Sequence, residues 1–327
     1  MTGSRVVLAS LSAAMDGGFT AVADVSAAMA TSGTTEHHRL IGGVAVMLHV
    51  ERLGLDLPLR ATGDADFGVP PYVLREPDLI AAIEALGYRK VAGNRWERRI
   101  DDRRVAAVDL LIPTYRSRAR DTVTVGSVVT SEVPGLAEAL QRPPVTVDIE
   151  LLLTDGGTLS TSVALPDAVG MLALKTLVPT VRTEERDVGD LWRCLEIAAA
   201  EGVGPETFDS SEPLEEVRAA LWRELGPDAT ALDVLTAGLQ DDRRRGSGRG
   251  CAPSSPRRSA RPGEPAEPGS ANGLEVGVHQ RQVERCGIHR AADPLAQVLV
   301  LLVGGISLHC EEVFVTPRAA ESPKSYS

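Results

Sequence analysis

The sequence predicts an α+β fold, in which a mixed sheet with helices is followed by a helical half. Strand-like and helix-like patterns alternate from His38 to Leu165, whereas the signals from Pro166 to about Leu239 are helical. From Arg243 onward the chain becomes rich in arginine, glycine and proline, a composition that sustains neither helix nor sheet. These observations predict three parts: a mixed-sheet α/β core over residues 1–165, a helical domain over 166–240, and a disordered, low-complexity tail over 241–327.

The individual elements follow from the spacing of apolar residues and from the turn-forming residues between them. Strands are predicted at His38–Ile41, Leu59–Val69, Tyr88–Val91, Arg95–Ile100, Val105–Ile112, Val145–Leu153 and Leu159–Leu165. Helices are predicted at Val44–Leu53 and Glu76–Leu86, each closed by a glycine just beyond its end. The N-terminal run Val6–Leu11 is short and weakly apolar for a secretory signal, and we interpret it as a helix or a frayed end.

The charge balance limits the classes of function that the chain can have. There are 45 acidic and 34 basic side chains in 327 residues, and residues 1–240 hold 35 of the acidic and 22 of the basic ones. This excess disfavours a DNA-coating protein, although a local basic groove is compatible with it. Four cysteines are too few for a small secreted disulfide scaffold, and no run reaches the roughly 20 apolar residues that span a bilayer. We therefore expect a cytoplasmic protein with no membrane partner.

Two aspartates make the segment Arg60-Ala61-Thr62-Gly63-Asp64-Ala65-Asp66-Phe67 the most informative part of the chain. On a strand, alternate side chains share a face, so the carboxylates of Asp64 and Asp66 point the same way. Two negative charges that close repel each other unless a cation lies between them, and hard oxygen ligands suit Mg²⁺. The alternative for this segment alone is a solvated turn.

A third carboxylate, that of Asp109, interrupts the otherwise apolar run Val105–Ile112. The run has the composition of a central, buried strand, and an ionised carboxylate buried without compensation costs several kcal/mol. The alternative is an aspartate at a strand edge, paired with Arg103 or Arg104. If this strand lies beside that of Asp64 and Asp66, the three carboxylates converge on one cation site.

Two weaker signals indicate phosphate binding. Gly42-Gly43 stands between a predicted strand and a helix, where backbone N–H groups can approach an anion closely, although a plain turn has the same pattern. Lys175, one of only three lysines, emerges from an apolar helical stretch and suits a phosphate as a point charge. The alternative for Lys175 is a surface lysine whose apolar stem packs on the helix. Farther along the chain, Arg186 and Asp190 have the i,i+4 spacing of an ordinary helical ion pair.

Taken together, these pieces resemble the AbiEii-type nucleotidyltransferases, which are toxins of type IV toxin–antitoxin systems within the polymerase-β-like nucleotidyltransferase superfamily. The resemblance runs from about Arg39 to Leu195. The family's Gly-Gly turn, its Arg-x-Ser/Thr-x-Asp-x-Asp strand, its later strand aspartate and its lysine followed by Arg-Asp-x-x-Asp-Leu occur here in the family's order. The corresponding residues are Gly42-Gly43, Arg60 to Asp66, Asp109, and Lys175 with Arg186-Asp187-Val188-Gly189-Asp190-Leu191.

The resemblance implies a nucleotidyltransferase core that uses Mg²⁺, with two ions expected, and an NTP substrate. Asp64 and Asp66 are expected to hold the metal on the triphosphate, and Asp109 is expected to complete a second metal site that activates an acceptor hydroxyl. Lys175 is expected to neutralise the leaving pyrophosphate. The remaining residues implied to bind the nucleotide are Gly42, Gly43, Arg60, Thr62, Asp187 and Asp190.

Three functions remain open at this point. The first is transfer of a nucleotide monophosphate to a hydroxyl on RNA, for instance a tRNA end, or on a protein, with a cognate antitoxin restraining the toxic activity. The second is a nucleotide-binding interaction module without catalysis. The third is a small-molecule nucleotidyltransferase of the antibiotic-modifying kind. The acidic 1–240 region favours it, because that region attracts a cationic substrate and repels RNA unless a basic patch forms. The arginines available for such a patch are Arg95, Arg98, Arg99, Arg103 and Arg104.

Overall fold

The computed structural model describes residues 4–34, 37–58, 61–115, 119–177 and 185–225. The tail predicted over 241–327 therefore lies outside the described residues, and the division of the chain at residues 165 and 240 stays a prediction. The described part is a mixed α+β structure, as the sequence predicts.

Strands and helices are intermingled up to Leu165, and the described elements after Leu165 are helices. The strands are β1 (Ser4–Ala9), β2 (Arg39–Ile41), β3 (Ala65–Gly68), β4 (Arg89–Ala92), β5 (Arg95–Arg99), β6 (Val105–Pro113), β7 (Val123–Val125), β8 (Val128–Val133), β9 (Val145–Leu152) and β10 (Thr158–Leu165). The helices are α1 (Ala13–Thr31), α2 (Gly42–Leu53), α3 (Pro71–Arg75), α4 (Pro77–Ala85), α5 (Leu136–Gln141), α6 (Ala168–Thr176), α7 (Glu185–Ala200) and α8 (Glu212–Leu225).

Two sheets organise the described strands. The larger follows the order β2-β3-β6-β5-β4, and the hairpin of β7 and β8 joins it through β8, which runs parallel to the end of β6. Within it β3 and β6 are parallel, whereas β2 pairs with β3 and β5 pairs with β6 in the antiparallel sense. The smaller sheet has the order β1-β9-β10. Strand β6 is therefore central, which accounts for the nearly continuous apolar run in its sequence.

One apolar cluster joins the sheets to the helices on both sides of residue 165. It includes Phe19 of α1, Phe67 of β3, Leu172 of α6, Leu195 of α7 and Leu221 of α8. Helix α2 contributes apolar side chains all round and is buried, and it ends at Gly54 in the left-handed conformation that closes many helices. Among the helices that the structure describes, none has the length and apolar character that crossing a bilayer requires.

Two sequence-based predictions are wrong in detail. The N-terminal run predicted as a helix or frayed end overlaps β1, which pairs in parallel with β9, a partner more than a hundred residues away. Within the described residues 61–69, the strand predicted at Leu59–Val69 is limited to β3, Ala65–Gly68. Helix α1 explains the shortening, because a Cβ added at Gly18 would lie 3.1–3.2 Å from the backbone of residues 62–64. That segment is therefore pressed against a helix and does not pair with a strand.

Candidate active site

The parallel pairing of β3 and β6 brings the sequence-predicted aspartates together. Asp66 is the register partner of Asp109, so the two residues lie side by side on neighbouring strands. Paired positions of a parallel sheet present their side chains on the same face, with strands about 4.8 Å apart. Two carboxylates predicted from separate parts of the sequence thus stand at one place on the sheet.

Asp64 precedes β3 and joins the same cluster. Its Oδ1 atom accepts a hydrogen bond of 2.9 Å from the hydroxyl of Thr62. Its Oδ2 atom lies 3.4 Å from Nη1 of Arg95, and Oδ2 of Asp109 lies 3.3 Å from the same nitrogen. The three carboxylates therefore converge, and Thr62, expected to bind nucleotide, contacts one of them.

Arg95, on β5, is the positively charged partner of this cluster in the structure. It is the register partner of Asp109 across β5 and β6, and its Nε atom donates a 2.8 Å hydrogen bond to Glu97. The sequence alone also allowed Arg103 or Arg104 as the ion-pair partner of Asp109. In the structure Asp109 pairs with Arg95, and Arg104 pairs with Asp101 and Asp155, at 2.7 and 2.6 Å.

The carboxylates disturb one another's ionisation. Burial and, secondarily, the negative charges of Asp64 and Asp109 raise the pKa of Asp66 to about 7, although the charges of Lys175 and Arg95 oppose this shift. Burial also raises the pKa of Asp109, against the nearby charge of Arg95. Both shifts have the direction expected where like charges meet away from bulk water. The cluster therefore favours a group that brings positive charge.

Lys175 reaches the site from the helical half. It lies on α6, and its Nζ atom donates a 3.0 Å hydrogen bond to Oδ2 of Asp190 on α7. Oδ1 of Asp190 accepts a 3.2 Å bond from Arg193, and the Asp190 side chain is only 2% exposed. Since Lys175 lowers the pKa of Asp66, its ammonium charge acts on that aspartate as well. Asp190 thus fixes the ammonium within electrostatic reach of Asp66.

Gly42, in the Gly42-Gly43 turn, lies directly against the carboxylate of Asp66. Gly42 has φ +70°, in the left-handed region, and a Cβ at this position would lie 1.9 Å from Oδ2 of Asp66. A side chain is therefore excluded for two reasons, the backbone conformation and the carboxylate beside it. Gly43 lies in the first turn of α2, whose N-cap residue Ile41 provides no side-chain hydrogen bond to the helix.

Two of the expected nucleotide-binding groups cannot be located. Arg60 lies outside the described residues, and the side chain of Asp187 is likewise outside them, although its backbone belongs to α7. The i,i+4 pairing considered for Arg186 and Asp190 also involves a side chain that is not described. The described partners of Asp190 are Lys175 and Arg193.

Sequence reasoning missed Arg95 as a member of the site and treated it as part of a basic patch. Its spacing from Glu97 on a predicted strand was a usable signal, because residues i and i+2 share a face. Within the described part of the chain, four of the five arginines of that patch form ion pairs with carboxylates. The pairs are Arg95 with Asp64, Glu97 and Asp109, Arg98 with Asp24, Arg99 with Asp102, and Arg104 with Asp101 and Asp155. The acidic partners offset the positive charge of this surface.

The donor set of the cluster fits a hard divalent cation, since it consists of carboxylate oxygens with excess negative charge. As the side chains stand, no group of three or more His, Cys, Asp or Glu residues in the described ranges has the geometry of a formed metal site. The Arg95 guanidinium lies between two of the three carboxylates instead. Binding of a cation there therefore requires that Arg95 move.

Comparisons with known proteins do not assign a function to this chain. No protein-family model matches the chain, and no curated protein matches it. Among solved structures, the chain is similar to a solution structure of the antibiotic-resistance factor ANT(2'')-Ia, at 15% identity and a TM-score of 0.30. The similarity covers 69% of this chain and 96% of that one. Similarity at this level does not establish a shared fold or activity.

Proposed function

We propose that this protein is a Mg²⁺-dependent nucleotidyltransferase, which moves a nucleotide monophosphate from an NTP to a hydroxyl group. The observation that carries the proposal is the convergence of Asp66 and Asp109 from two neighbouring strands with Asp64 from the segment before β3, while Lys175 acts on Asp66 from a helix. Three carboxylates that converge within electrostatic reach of one ammonium suit a reaction whose substrate and leaving group are both polyanions.

Each residue has a role that its surroundings support. Asp64, Asp66 and Asp109 would hold the metal, with Thr62 orienting the Asp64 carboxylate through its 2.9 Å hydrogen bond. When bound, Mg²⁺ would neutralise the triphosphate and make the acceptor hydroxyl a better nucleophile. The hydroxyl oxygen would then form a bond to the α-phosphorus and lose its proton to water, while the bond from that phosphorus to the oxygen that bridges it to the β-phosphorus breaks and pyrophosphate leaves.

The positive groups of the chain serve the phosphates. Lys175, held by Asp190, would offset the charge of the departing pyrophosphate, and it keeps its position because Asp190 is buried and also bonds Arg193. The backbone N–H groups at Gly42 and Gly43 would approach a phosphate at the start of α2, where a helix favours negative charge. Asp187 and Arg60 remain expected nucleotide-binding residues on the resemblance alone.

The acceptor follows from the resemblance and from the surface charge. The resemblance favours a hydroxyl of RNA, such as a tRNA end, or of a protein, and a toxic activity restrained by a cognate antitoxin. A cationic small molecule is the second candidate acceptor. It is favoured by the acidic excess of residues 1–240 and by the ion pairs that offset the arginines around β5.

Label transfer tests the proposal. The full chain is incubated with each α-³²P-labelled NTP and Mg²⁺, in parallel with cell RNA, with cell protein and with a panel of hydroxylated polyamines. Label transferred by the wild type and lost in Asp66→Ala and Asp109→Ala supports the enzyme, and Asp148→Ala, an exposed aspartate on β9, is the matched control. The pool that becomes labelled identifies the acceptor class.

Two results would contradict the enzymatic proposal. Tight NTP binding with no transfer to any pool supports the non-catalytic interaction module instead. Transfer that persists in Asp66→Ala and Asp109→Ala excludes this site as the catalytic centre.

Growth arrest on expression of the wild type, absent with Asp66→Ala, is expected if the protein is a toxin.

A further inference from the structure

The position of Arg95 is the feature that the proposed reaction does not use. One guanidinium contacts three carboxylates: its Nη1 atom lies 3.4 Å from Asp64 and 3.3 Å from Asp109, and its Nε atom donates to Glu97 at 2.8 Å. Of these, Asp64 and Asp109 are the expected metal ligands, whereas Glu97 lies on the same strand as Arg95. The arginine therefore stands where a cation would bridge the two aspartates.

We propose that Arg95 is an internal counter-ion of the metal site, occupying the cation position between Asp64 and Asp109 until a divalent metal displaces it. This inference rests on the proposed function, because it requires that the three aspartates bind metal. It adds that metal binding is an exchange of one positive group for another. In the metal-free protein Arg95 holds Asp64 and Asp109 close together.

The bonds from Arg95 to Asp64 and Asp109 are weak enough for a metal ion to displace the guanidinium. Its bonds to Asp64 and Asp109 are long for charge-assisted hydrogen bonds, and its side chain is 36% exposed, so water and salt weaken them. A divalent ion held by these carboxylates would bring twice the charge of the guanidinium, and hard divalent cations bind carboxylate oxygens at short range. We therefore expect the metal to compete successfully with the guanidinium for these carboxylates.

Glu97 gives the displaced arginine a place to remain. Residues 95 and 97 are both on β5, two positions apart, so their side chains share a face of the sheet. The bond from Nε to Glu97 is the shortest that Arg95 makes in the cluster, and it uses a different nitrogen from the one that contacts the aspartates. Release of Nη1 from the aspartates thus leaves the anchor to Glu97 intact.

Direct metal binding without nucleotide tests the exchange. Mn²⁺, whose free form gives an electron paramagnetic resonance signal, is titrated into the full chain, into Arg95→Met and into Arg95→Lys. Because Arg95→Met removes the competing charge and keeps an apolar stem, we expect it to bind Mn²⁺ about tenfold more tightly than the wild type. Arg95→Lys keeps a charge but cannot bridge two carboxylates as a planar fork does, so we expect an intermediate affinity.

Two further variants separate the counter-ion role from a general charge effect and from the metal site itself. Arg99→Met removes an exposed charge from the same strand and should change Mn²⁺ affinity less than about twofold, since solvent screens it. Asp66→Asn should abolish binding in both the wild-type and the Arg95→Met backgrounds. Circular dichroism and the melting temperature with and without Mn²⁺ check folding, and Mn²⁺ should raise the melting temperature of Arg95→Met more than that of the wild type.

Each remaining outcome overturns a specific statement. Unchanged or weaker Mn²⁺ binding by Arg95→Met, with binding by the wild type lost in Asp66→Asn, overturns the counter-ion role and leaves the metal site standing. Absence of Mn²⁺ binding in the wild type and in Arg95→Met overturns the metal site and the counter-ion role together. An equal gain of affinity in Arg99→Met would attribute the effect to net charge and also overturn the exchange.

Discussion

Asp66 and Asp109 are register partners on the parallel strands β3 and β6, and this one pairing places two acidic side chains on the same face of a largely buried sheet. Such an arrangement costs stability in the metal-free protein, because each charge raises the free energy of the other and both lie away from bulk water. Sites that are assembled for chemistry commonly carry a cost of this kind.

Asp66→Asn should abolish nucleotidyl transfer and at the same time stabilise the metal-free protein. Asparagine has the same shape without the charge, and we expect the free energy of unfolding at pH 8 to rise by about 2 kcal/mol. Urea unfolding measures the change, with the exposed Asp148→Asn as control. A free energy of unfolding lower than that of the wild type would show that the Asp66 carboxylate is satisfied by its surroundings.

Gly42→Ala should destabilise the protein more than Gly54→Ala, which is a matched control. Both glycines have positive φ, +70° and +64°, and they stand at the two ends of α2, but a Cβ at Gly54 meets nothing within 4 Å while one at Gly42 overlaps Asp66. We expect a loss of about 1 kcal/mol for Gly54→Ala and about 2 kcal/mol more for Gly42→Ala. Equal losses in urea unfolding would mean that Asp66 moves aside freely. Mn²⁺ titration of Gly42→Ala should also report weakened binding.

Asp190→Ala should destabilise the helical half strongly, by about 3 kcal/mol, because it leaves the charges of Lys175 and Arg193 facing a buried position. Lys175→Met should cost less, since Arg193 still contacts Asp190, yet it should remove most of the label transfer. A double-mutant cycle on the two sites measures their coupling. Additive losses in urea unfolding would contradict the ion pair as the reason for the position of Lys175.

His49 should make the protein less stable as pH falls. Burial, aided by the charge of Arg52, lowers its pKa from 6.5 to about 4, while its Nε2 atom lies 2.8 Å from the Pro166 carbonyl and its Nδ1 atom accepts from Arg52. Between these two pH values the unfolded chain binds a proton that the folded protein does not, so stability decreases by roughly 3 kcal/mol from pH 6.5 to 4.

The Asp66 carboxyl acts in the opposite direction over much of the same range. Its pKa is raised from 3.8 to about 7, so the folded protein holds a proton that the unfolded chain releases, and stability decreases as pH rises through that window. His49→Gln should therefore remove the loss at low pH and expose the slope due to Asp66, and Asp66→Asn should do the reverse. Urea unfolding between pH 4 and 8 measures both. If His49→Gln leaves the pH profile unchanged, the imidazole is not buried in its neutral form.

The sequence alone determined the α+β class and the elements whose signals are local. The apolar run of Val105–Ile112 predicted a buried central strand, the apolar residues and Gly54 predicted α2, and the spacing of Asp64 and Asp66 indicated a shared face. These features depend on neighbours two to four positions apart, where backbone geometry alone relates the side chains.

Only the tertiary structure decided which strands lie together and which charges meet. The register of Asp66 with Asp109, the pairing of β1 with β9, the insertion of Arg95 between two aspartates and the choice of Lys175 as partner of Asp190 all join residues far apart in the chain or on different elements. A side chain's periodicity carries no information about the partner across the sheet, because strand order and register are set by the burial of the whole core. The aspartates could therefore be recognised one by one, while their convergence required the fold.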